Sequence, residues 1–389
     1  MKDAVIVDAV RTPGGKRNGK LKNWQAADLL AEVLSALIKR NDLDPELVED
    51  VITGCVMQVG EQSLNVGRNA ALGAGFPESV CGTTIDRQCG SSQQAAHFAA
   101  QGVMAGAYDI VIAAGVETMT RVPMGASISS GVGFPFGTNT TTRYKLVPQG
   151  ISAEMIADQW GLSRTDLDEF SALSQQRAAK ATEERRFDRE IIPIEIKDDS
   201  GQKTGEFISQ DEGIRPDTTT ETLANLKPAF IPETGKVTAG NSSQITDGAS
   251  AALIMSEDRA KELGLTPRAR FHSFAISGVD PVTMLTGPIP ATKKILDRAK
   301  MTLNDIDLVE INEAFASVVL AWKKELDSDM DKVNVNGGAI ALGHPLGASG
   351  TKLMATLLCE LERTGGRYGL QTMCEGGGMA NATIIERLG

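Results

Sequence analysis

The stretch TTIDRQCGSSQQAAHFAA, residues 83–100, predicts a strand, a polar turn and a helix of small residues in direct succession. Cys89 lies in the turn, just before Ser91 and Ser92, which are residue types favoured at a helix start. A thiol at a helix start is close to the positive end of the helix dipole, which favours the thiolate. Because a lone cysteine is more often a packing residue than a nucleophile, the rest of the chain has to distinguish these two interpretations.

Composition excludes several classes of protein. The chain has 389 residues, of which 41% are hydrophobic and 23% charged, as in soluble globular proteins of two or three domains. The net charge of −11 and the lack of a basic stripe argue against binding to nucleic acid. No apolar run approaches the length of a membrane span, so we expect no membrane as a partner.

The cysteines indicate a reducing compartment. There are five of them, widely spaced and without a CxxC pair, which argues against both a disulfide framework and a zinc site. The N-terminus enters a strand-like run directly, so we predict no signal peptide. Together these features predict a cytoplasmic protein.

The chain contains two halves with the same order of patterns. The first half begins with a strand and turn at residues 4–13, AVIVDAVRTP, and the second with a strand and turn at residues 268–281, RARFHSFAISGVDP. In each half a helical stretch and a second strand follow. A turn, a helix and a buried strand come next, after Cys89 in the first half and after His344 in the second. This alternation predicts α/β halves with parallel strands covered by helices.

A long insertion interrupts the first half. The last strand of the second half, ANATIIERL, corresponds to ASAALIMSE, which begins only at residue 249. The intervening segment is rich in Gly, Ser and Thr and contains helical stretches between polar loops. We therefore predict an N-terminal half of residues 1–119 with 246–266, an inserted loop domain of residues 120–245, and a C-terminal half of residues 267–389.

Several polar residues in turns are candidates for chemistry. Cys89 and His344 occupy equivalent turns of the two halves, which can face each other across a pseudo-symmetry axis. Cys374 directly precedes three glycines, and backbone N–H groups in such a loop suit an oxyanion hole. Asn312 follows a predicted strand, where ligands bind in open α/β folds, although a helix cap is an equally good interpretation. The remaining histidines, His97 and His272, are expected to be structural.

These motifs together resemble the thiolase family. The matches are, in chain order, CGSSQQA from residue 89, VTAGNSSQITDGASAAL from residue 237, INEAF from residue 311, GGAIALGHPLGASG from residue 337 and CEGGGMA from residue 374. The resemblance runs from the first strand to the last residue. It implies an α/β thiolase-like fold with duplicated five-stranded mixed-sheet halves in an αβαβα layered arrangement, and with an inserted loop domain that binds coenzyme A.

The resemblance also implies a mechanism. Cys89 matches the cysteine that takes the acyl group, and His344 matches the histidine that removes its thiol proton. Cys374 matches the cysteine that exchanges a proton with the α-carbon of acetyl-CoA. One oxyanion hole is implied at a water held by Asn312 together with His344, and another at the backbone N–H groups of Cys89 and Gly376.

The implied activity is that of an acyltransferase of fatty acid β-oxidation, which reversibly cleaves 3-ketoacyl-CoA with CoA to acetyl-CoA and a shortened acyl-CoA. Coenzyme A and acyl-CoA are substrates, and no metal or redox cofactor is implied. Arg215 matches a residue near the nucleotide phosphates, although a solvated surface charge is an equally good interpretation. Ser243 matches the serine at the pantetheine arm, and Phe230, Ala314 and Phe315 are expected along the pantetheine tunnel.

Two departures from the family pattern concern substrate and assembly. Members that make acetoacetyl-CoA often carry a His-Met-Gly run where this chain has Gln149 and Gly150 after a proline, which favours an acyl chain longer than acetoacetyl. The cationic tetramerisation loop of biosynthetic members is not recognisable in residues 131–146. We therefore predict a homodimer and leave open whether dimers pair into a homotetramer.

Several alternatives stay open at the level of sequence. The nearest is a biosynthetic acetoacetyl-CoA thiolase. A ketoacyl synthase is disfavoured because such enzymes lack a counterpart of Cys374, and a sterol-carrier thiolase because residues 312–315 keep the Asn-Glu-Ala-Phe sequence. A non-catalytic CoA-binding scaffold is disfavoured by the intact Cys89, His344 and Cys374.

Overall fold

The computed structural model describes residues 2–389. The strands are β1 (Ala4–Arg11), β2 (Gly15–Lys16), β3 (Asp50–Gly54), β4 (Cys81–Ile85), β5 (Ile110–Thr118), β6 (Ile194–Lys197), β7 (Lys203–Ile208), β8 (Thr246–Ser256), β9 (Ala269–Gly278), β10 (Leu308–Ile311), β11 (Tyr368–Glu375) and β12 (Met379–Arg387). The helices are α1 (Ala26–Arg40), α2 (Val66–Gly73), α3 (Ser91–Ala105), α4 (Ala126–Ser129), α5 (Thr138–Arg143), α6 (Gln149–Gln159), α7 (Arg164–Glu183), α8 (Thr220–Ala224), α9 (Glu257–Glu262), α10 (Pro288–Ala299), α11 (Ala316–Leu326), α12 (Ala339–Leu342) and α13 (Ser349–Thr364). Within residues 2–389, no helix combines the length and the apolar character needed to cross a membrane.

One mixed sheet runs through the molecule, and its two halves repeat the same strand order. The order is β4–β3–β5–β8–β1 in the N-terminal half and β10–β11–β12–β9 in the C-terminal half. Val333 occupies the fifth position of the C-terminal half through a single parallel bridge to Val309. In both halves the first two pairings are parallel and the last two antiparallel. A short antiparallel pairing of β1 with β9 joins the halves, and the duplication predicted from the sequence is confirmed.

The position of β8 explains how the interrupted half is completed. It lies antiparallel between β1 and β5, just as β12 lies between β9 and β11. All of its residues from Thr246 to Ser256 are buried. An apolar strand of this kind is stable only inside the sheet, so the chain returns to the first half after the insertion. The strand predicted from residue 249 is therefore correct, and it begins slightly earlier.

Helices cover both faces of the sheet and also separate its halves. α1 packs on the outside of the N-terminal half, and α10 on the outside of the C-terminal half. α3 and α13 pack against each other and contact strands of both halves. This is the αβαβα layering that the family resemblance implies.

The helices α3 and α13 start side by side because glycine leaves room for their backbones. A Cβ atom on Gly350 in α13 would collide with the backbone nitrogen of Gln93 in α3. Nearby, a Cβ atom on Gly115 in β5 would collide with the carbonyl oxygen of Gly347, just before α13. No side chain fits at either glycine. As a result, the turns that precede the two helices are held next to each other.

The segment between β5 and β8 contributes no strand to the main sheet among residues 2–389. It forms α4 to α8 and a separate two-stranded sheet of β6 and β7. α6 and α7 pack against α11 of the C-terminal half, and α7 also packs against α12. The helices α6 and α7 therefore lie beside the C-terminal half, whereas Ile194 of β6 and Ile208 of β7 pack into the core of the N-terminal half. The domain boundaries expected from the sequence stay a prediction.

Candidate active site

Cys89 lies in the tight turn between β4 and α3. The preceding residue, Gln88, has a φ of 49°, in the left-handed region, so the chain bends sharply at the cysteine. The Ser91 hydroxyl holds this turn, because it accepts from the Arg87 N–H at 2.9 Å and donates to the Gln88 carbonyl at 2.6 Å. Gly90 is the N-cap of α3. The serine that was expected to cap the helix thus fixes the cysteine turn instead.

The Cys89 thiol is protonated in the resting site. Burial, followed by the nearby Glu375 carboxyl group, raises its pKa to about 12. A helix start alone favours the thiolate, but desolvation of the buried thiol is the larger effect here. The thiol therefore needs a neighbouring base before it can act as a nucleophile.

His344 lies in the glycine-rich loop between α12 and α13. Its backbone N–H donates to the Gln244 carbonyl at 3.1 Å and to the Thr246 hydroxyl at 3.0 Å. Three residues further on, the Gly347 N–H donates to the buried Glu117 carboxyl group at 2.9 Å. The same carboxyl group accepts two backbone N–H groups from the loop after β3. It thereby ties the histidine loop to the N-terminal half.

The hydrogen bonds of His344 determine which ring nitrogen is free. Nδ1 lies 2.5 Å from the Ser349 hydroxyl, and that hydroxyl donates its own hydrogen to the Pro345 carbonyl at 2.8 Å. Nδ1 therefore carries the imidazole hydrogen, and Nε2 keeps its lone pair. Burial, followed by the charge of Lys352, lowers the pKa of His344 to about 3. A neutral imidazole with a free Nε2 is the form that can remove a thiol proton.

Asn312 lies beside the histidine, just after β10. Its Nδ2 is 3.4 Å from Nε2 of His344. Its Oδ1 is buried and has no hydrogen-bond partner within residues 2–389. The nearby helix α11 begins at Ala316 with Phe315 as its N-cap, so the interpretation of Asn312 as a helix cap is wrong.

The second cysteine and the glycine turn approach the cysteine turn of the first half. Cys374 is fully buried at the end of β11, and its pKa is raised well above the usual value by burial and then by the charge of Cys89. Gly376 lies in the turn that follows. A Cβ atom there would be 3.0 Å from Oε1 of Gln88 and 3.1 Å from Nε2 of Gln149. The structure therefore brings Cys374 and Gly376 into the neighbourhood of Cys89.

A cavity of about 130 Å³ connects most of the predicted site residues. Predicted residues that line it are Cys89, His344, Phe230, Ser243, Ala314 and Phe315. Of the other lining residues, five are apolar and three are polar: Met119, Met124, Ile245, Leu285 and Leu346, with Gln149, Ser242 and Gln244. Such walls suit the methylene groups of an acyl or pantetheine chain.

Arg215 is placed away from this cavity. Its side chain is exposed, and its backbone N–H donates to the Gln175 side chain at 2.7 Å. A role at the nucleotide end of coenzyme A therefore stays a prediction. His97 is buried within α3, where Nε2 lies 2.7 Å from the Thr383 hydroxyl, as expected of a structural histidine.

Two residues that organise the site were missed in the sequence. Ser349 lies within the quoted motif around His344, but it reaches the imidazole only because the turn after Pro345 brings the chain back. Glu117 ends the apolar run of β5, and a lone acid at that position was the available indication of a buried role.

In this site, two equivalent turns of a duplicated sheet present a thiol and a neutral imidazole to one cavity. This arrangement is characteristic of acyltransferases that work through a cysteine. The chain matches the family model of the thiolase N-terminal domain over residues 4–258 and that of the thiolase C-terminal domain over residues 265–387. It belongs to the thiolase family, and it is an acyltransferase.

Relatives and solved structures agree with this membership. The steroid 3-ketoacyl-CoA thiolase of Mycobacterium tuberculosis is 50% identical over 100% of this chain and 95% of its own length. The 3-ketoacyl-CoA thiolase of Aliivibrio fischeri is 49% identical over 100% of both chains. The crystal structure of the Bacillus anthracis acetyl-CoA acetyltransferase gives a TM-score of 0.92 at 41% identity, and that of human mitochondrial 3-ketoacyl-CoA thiolase gives 0.89 at 37%. Each comparison covers 100% of this chain and 99% of the other.

Proposed function

We propose that the protein is an acetyl-CoA C-acyltransferase that cleaves 3-ketoacyl-CoA with CoA, giving acetyl-CoA and an acyl-CoA shortened by one acetyl unit. Full-length relatives named 3-ketoacyl-CoA thiolase, at 49% and 50% identity, support this reaction. The observation that carries the proposal is the shared cavity of Cys89 and His344, with the imidazole neutral and its Nε2 unprotonated. No metal or redox cofactor enters the scheme below.

In the first half of the proposed reaction, Nε2 of His344 takes the Cys89 proton while the sulfur attacks the ketone carbon of the substrate. The bond from that carbon to the acetyl α-carbon then breaks, and the shortened acyl group stays on Cys89 as a thioester. Cys374 gives its proton to the α-carbon of the departing acetyl-CoA enolate. Burial raises the pKa of Cys374, which keeps this proton in place until negative charge develops on the carbon.

In the second half, a CoA molecule replaces acetyl-CoA. The Cys374 thiolate takes the proton of the CoA thiol, and the CoA sulfur attacks the thioester. The Cys89 thiolate leaves and recovers its proton from the protonated His344. Both cysteines and the histidine then return to their starting forms.

Two sites would stabilise the oxyanions that form on the way. The unpartnered Oδ1 of Asn312 supports the proposal that this amide holds a water beside His344. The backbone N–H groups of Cys89 and Gly376 are proposed as the second site, since the two turns lie close together. One donor in such a site contributes on the order of 100- to 1000-fold in rate.

The proposed function is tested by incubation with acetyl-CoA and mass spectrometry of the peptides. We expect one acetyl group on the peptide that contains Cys89. A non-catalytic scaffold would gain none, and an acetyl group on another residue would contradict the assignment of the nucleophile. Thiolysis rates with a chain-length series of 3-ketoacyl-CoA substrates, including steroid side chains, then distinguish this activity from that of an acetoacetyl-CoA thiolase.

Ser349→Ala should lower turnover about ten- to a hundredfold, because His344 is then free to adopt the tautomer with hydrogen on Nε2. The measurement is the steady-state thiolysis rate, with thermal unfolding to verify the fold. Ser171→Ala is the matched control, since Ser171 is also buried but donates only to a carbonyl within α7. Equal rates in the wild type and Ser349→Ala would show that this hydroxyl does not select the tautomer.

Gln149 and Gly150, the residues that suggested a longer acyl chain, differ in their contact with the cavity. Gln149 lines the cavity, as expected. Gly150 is buried against the Phe230 ring, and a Cβ atom there would collide with that ring. Since Phe230 also lines the cavity and meets Phe315 edge to face, Gly150 supports the proposed pantetheine tunnel rather than the acyl group.

Gly150→Ala should therefore raise KM by roughly tenfold for short and long 3-ketoacyl-CoA substrates alike, because it displaces Phe230. The check is a comparison of KM for acetoacetyl-CoA and a long-chain substrate. Gly137→Ala is the control, since a Cβ atom there meets nothing within 4 Å. A loss confined to long chains would instead place the acyl group against Gly150.

We also propose that the protein is a homodimer. β4 is an edge strand of the main sheet, its outer edge has no partner strand within residues 2–389, and it leads directly into the cysteine turn. The same edge of a second copy would cover it. Size-exclusion chromatography with light scattering tests this, and a monomer at micromolar concentration would contradict it. The pairing of dimers and the cytoplasmic location stay predictions.

A further inference from the structure

Glu375 is a buried acid that the proposed reaction does not use. It lies between Cys374 and Gly376, at the end of β11. Its side chain is fully buried, and neither carboxyl oxygen has a hydrogen-bond partner within residues 2–389. A buried carboxylate without a partner is strongly disfavoured, because it loses its hydration and gains nothing in exchange. The arrangement therefore favours the neutral, protonated form of this acid.

The surroundings offer the protonated form an acceptor. Glu375 and Asn381 lie on the same face of the β11–β12 hairpin, two residue pairs apart along it. Both lie against Gly90, because a Cβ atom on that glycine would collide with Oε1 of Glu375 and come within 2.8 Å of Nδ2 of Asn381. Nδ2 donates to the Gly90 carbonyl at 3.0 Å, while Oδ1 is buried without a partner. A protonated carboxyl group supplies the one O–H donor that this oxygen lacks.

The charged and titratable groups around Glu375 come from the cysteine turn and from β11 itself. Burial raises the pKa of Glu375 to about 8, Arg87 in the cysteine turn lowers it, and Asp86 in the same turn raises it. Also in the cysteine turn, the Cys89 thiol has its pKa raised by Glu375, second only to burial. On the same strand, Glu375 also raises the pKa of Cys374. An anion at Glu375 would therefore oppose the thiolate of both cysteines.

We propose that Glu375 is a positioning residue that works in its neutral form, donating a hydrogen bond to Asn381, and that its ionisation in alkaline solution slows the enzyme by placing a negative charge beside Cys89. The inference rests on the proposed role of Cys89 as the nucleophile. Below about pH 8 the carboxyl group is neutral, and only burial and more distant charges oppose the Cys89 thiolate. Above that pH the carboxylate adds to this opposition, so the thiolate fraction rises less steeply with pH than it would beside a neutral group.

The test follows alkylation of Cys89 by iodoacetamide from about pH 6 to about pH 10, with peptide mass spectrometry to separate Cys89 from the exposed Cys81. In the wild type, the rise of the rate with pH should become shallower near pH 8, where Glu375 ionises. In Glu375→Gln the amide keeps a donor but cannot ionise. The bend should then disappear, and Cys89 should be alkylated about tenfold faster at pH 9.

Steady-state thiolysis gives the second readout. The alkaline fall of the rate should move to higher pH in Glu375→Gln, with little change near neutral pH. Asp50→Asn is the control, since burial also raises the pKa of Asp50, which lies at the opposite end of β3 from the cysteine turn. It should leave both profiles unchanged.

Two outcomes would overturn the proposal directly: identical pH profiles in the wild type and Glu375→Gln, or loss of activity at every pH in a folded variant, which would mean that the anion is required. If the variant does not fold, a wild-type alkylation profile without the bend is sufficient to overturn it. Failure of the proposed function is seen separately, as a lack of acetylation at Cys89, because alkylation reports only on the ionisation of the thiol.

Discussion

Cys89→Ser should reduce turnover by at least about 1000-fold while the fold stays intact. Oxygen in place of sulfur fits the same turn, so packing changes little. A serine hydroxyl in the same turn is, however, a weaker acid and a poorer nucleophile than the thiol, so the imidazole of His344 activates it far less well. The measurements are the thiolysis rate, acetylation by mass spectrometry and the thermal unfolding temperature.

The control for this variant is Cys359→Ser. Cys359 is also buried, but it lies in α13 and contacts Arg268 at 3.3 Å rather than the cavity. We expect it to keep near-normal activity. Substantial turnover by Cys89→Ser, or an acyl-enzyme trapped on another side chain, would remove Cys89 from the mechanism.

Cys374→Ala should separate the two chemical stages of the reaction. Transfer of an acetyl group from acetyl-CoA to Cys89 should continue, because the new bond forms with Cys89 and His344 alone and the departing CoA thiolate can take its proton from solvent instead of Cys374. Condensation with a second acetyl-CoA should fall by roughly 100- to 10,000-fold, since no group remains to remove the proton from its α-carbon. Acetylation is measured by mass spectrometry, and condensation by the appearance of acetoacetyl-CoA.

The contrary result for this variant is equally clear. If Cys374→Ala condenses acetyl-CoA at a near-normal rate, another group is the acid and base, and the buried Cys374 is a packing residue. If acetylation is lost as well, Cys374 is also needed for transfer to Cys89. In either case the division of roles between the two cysteines is wrong.

The repeated fold could be predicted because it depends on apolar runs that are visible in the local sequence. β8 and β12 are apolar runs of similar length that end equivalent halves, so their correspondence was visible across an insertion of more than 100 residues. Cys89 and His344 could be paired because they follow the same position in each repeat. Periodicity and repetition are properties of the sequence itself, and they need no knowledge of contacts.

The details of the site depend on contacts between distant residues, and those could not be predicted. Nothing local to Gly150 indicates that the Phe230 ring rests on it. The tautomer of His344 depends on the Ser349 hydroxyl, whose own hydrogen bond to the Pro345 carbonyl exists only after the loop has folded. Likewise the helix dipole at Cys89 was recognised, but its burial, which outweighs the dipole, is a property of the whole fold.

The tight contact between the starts of α3 and α13 affects how a protein of this kind can diverge. Gly347 and Gly350 allow the chain around His344 to pack directly against the N-terminal half, which carries Cys89. Neither position has room for a side chain. Of the cavity walls, Gln149 and Phe230 come instead from the inserted segment. Substitutions at these two walls would change the shape of the cavity without moving the thiol relative to the imidazole. The reactive groups, Cys89 and His344, and these two walls of the cavity therefore belong to separate parts of the polypeptide. Each part can change in evolution while the other is kept.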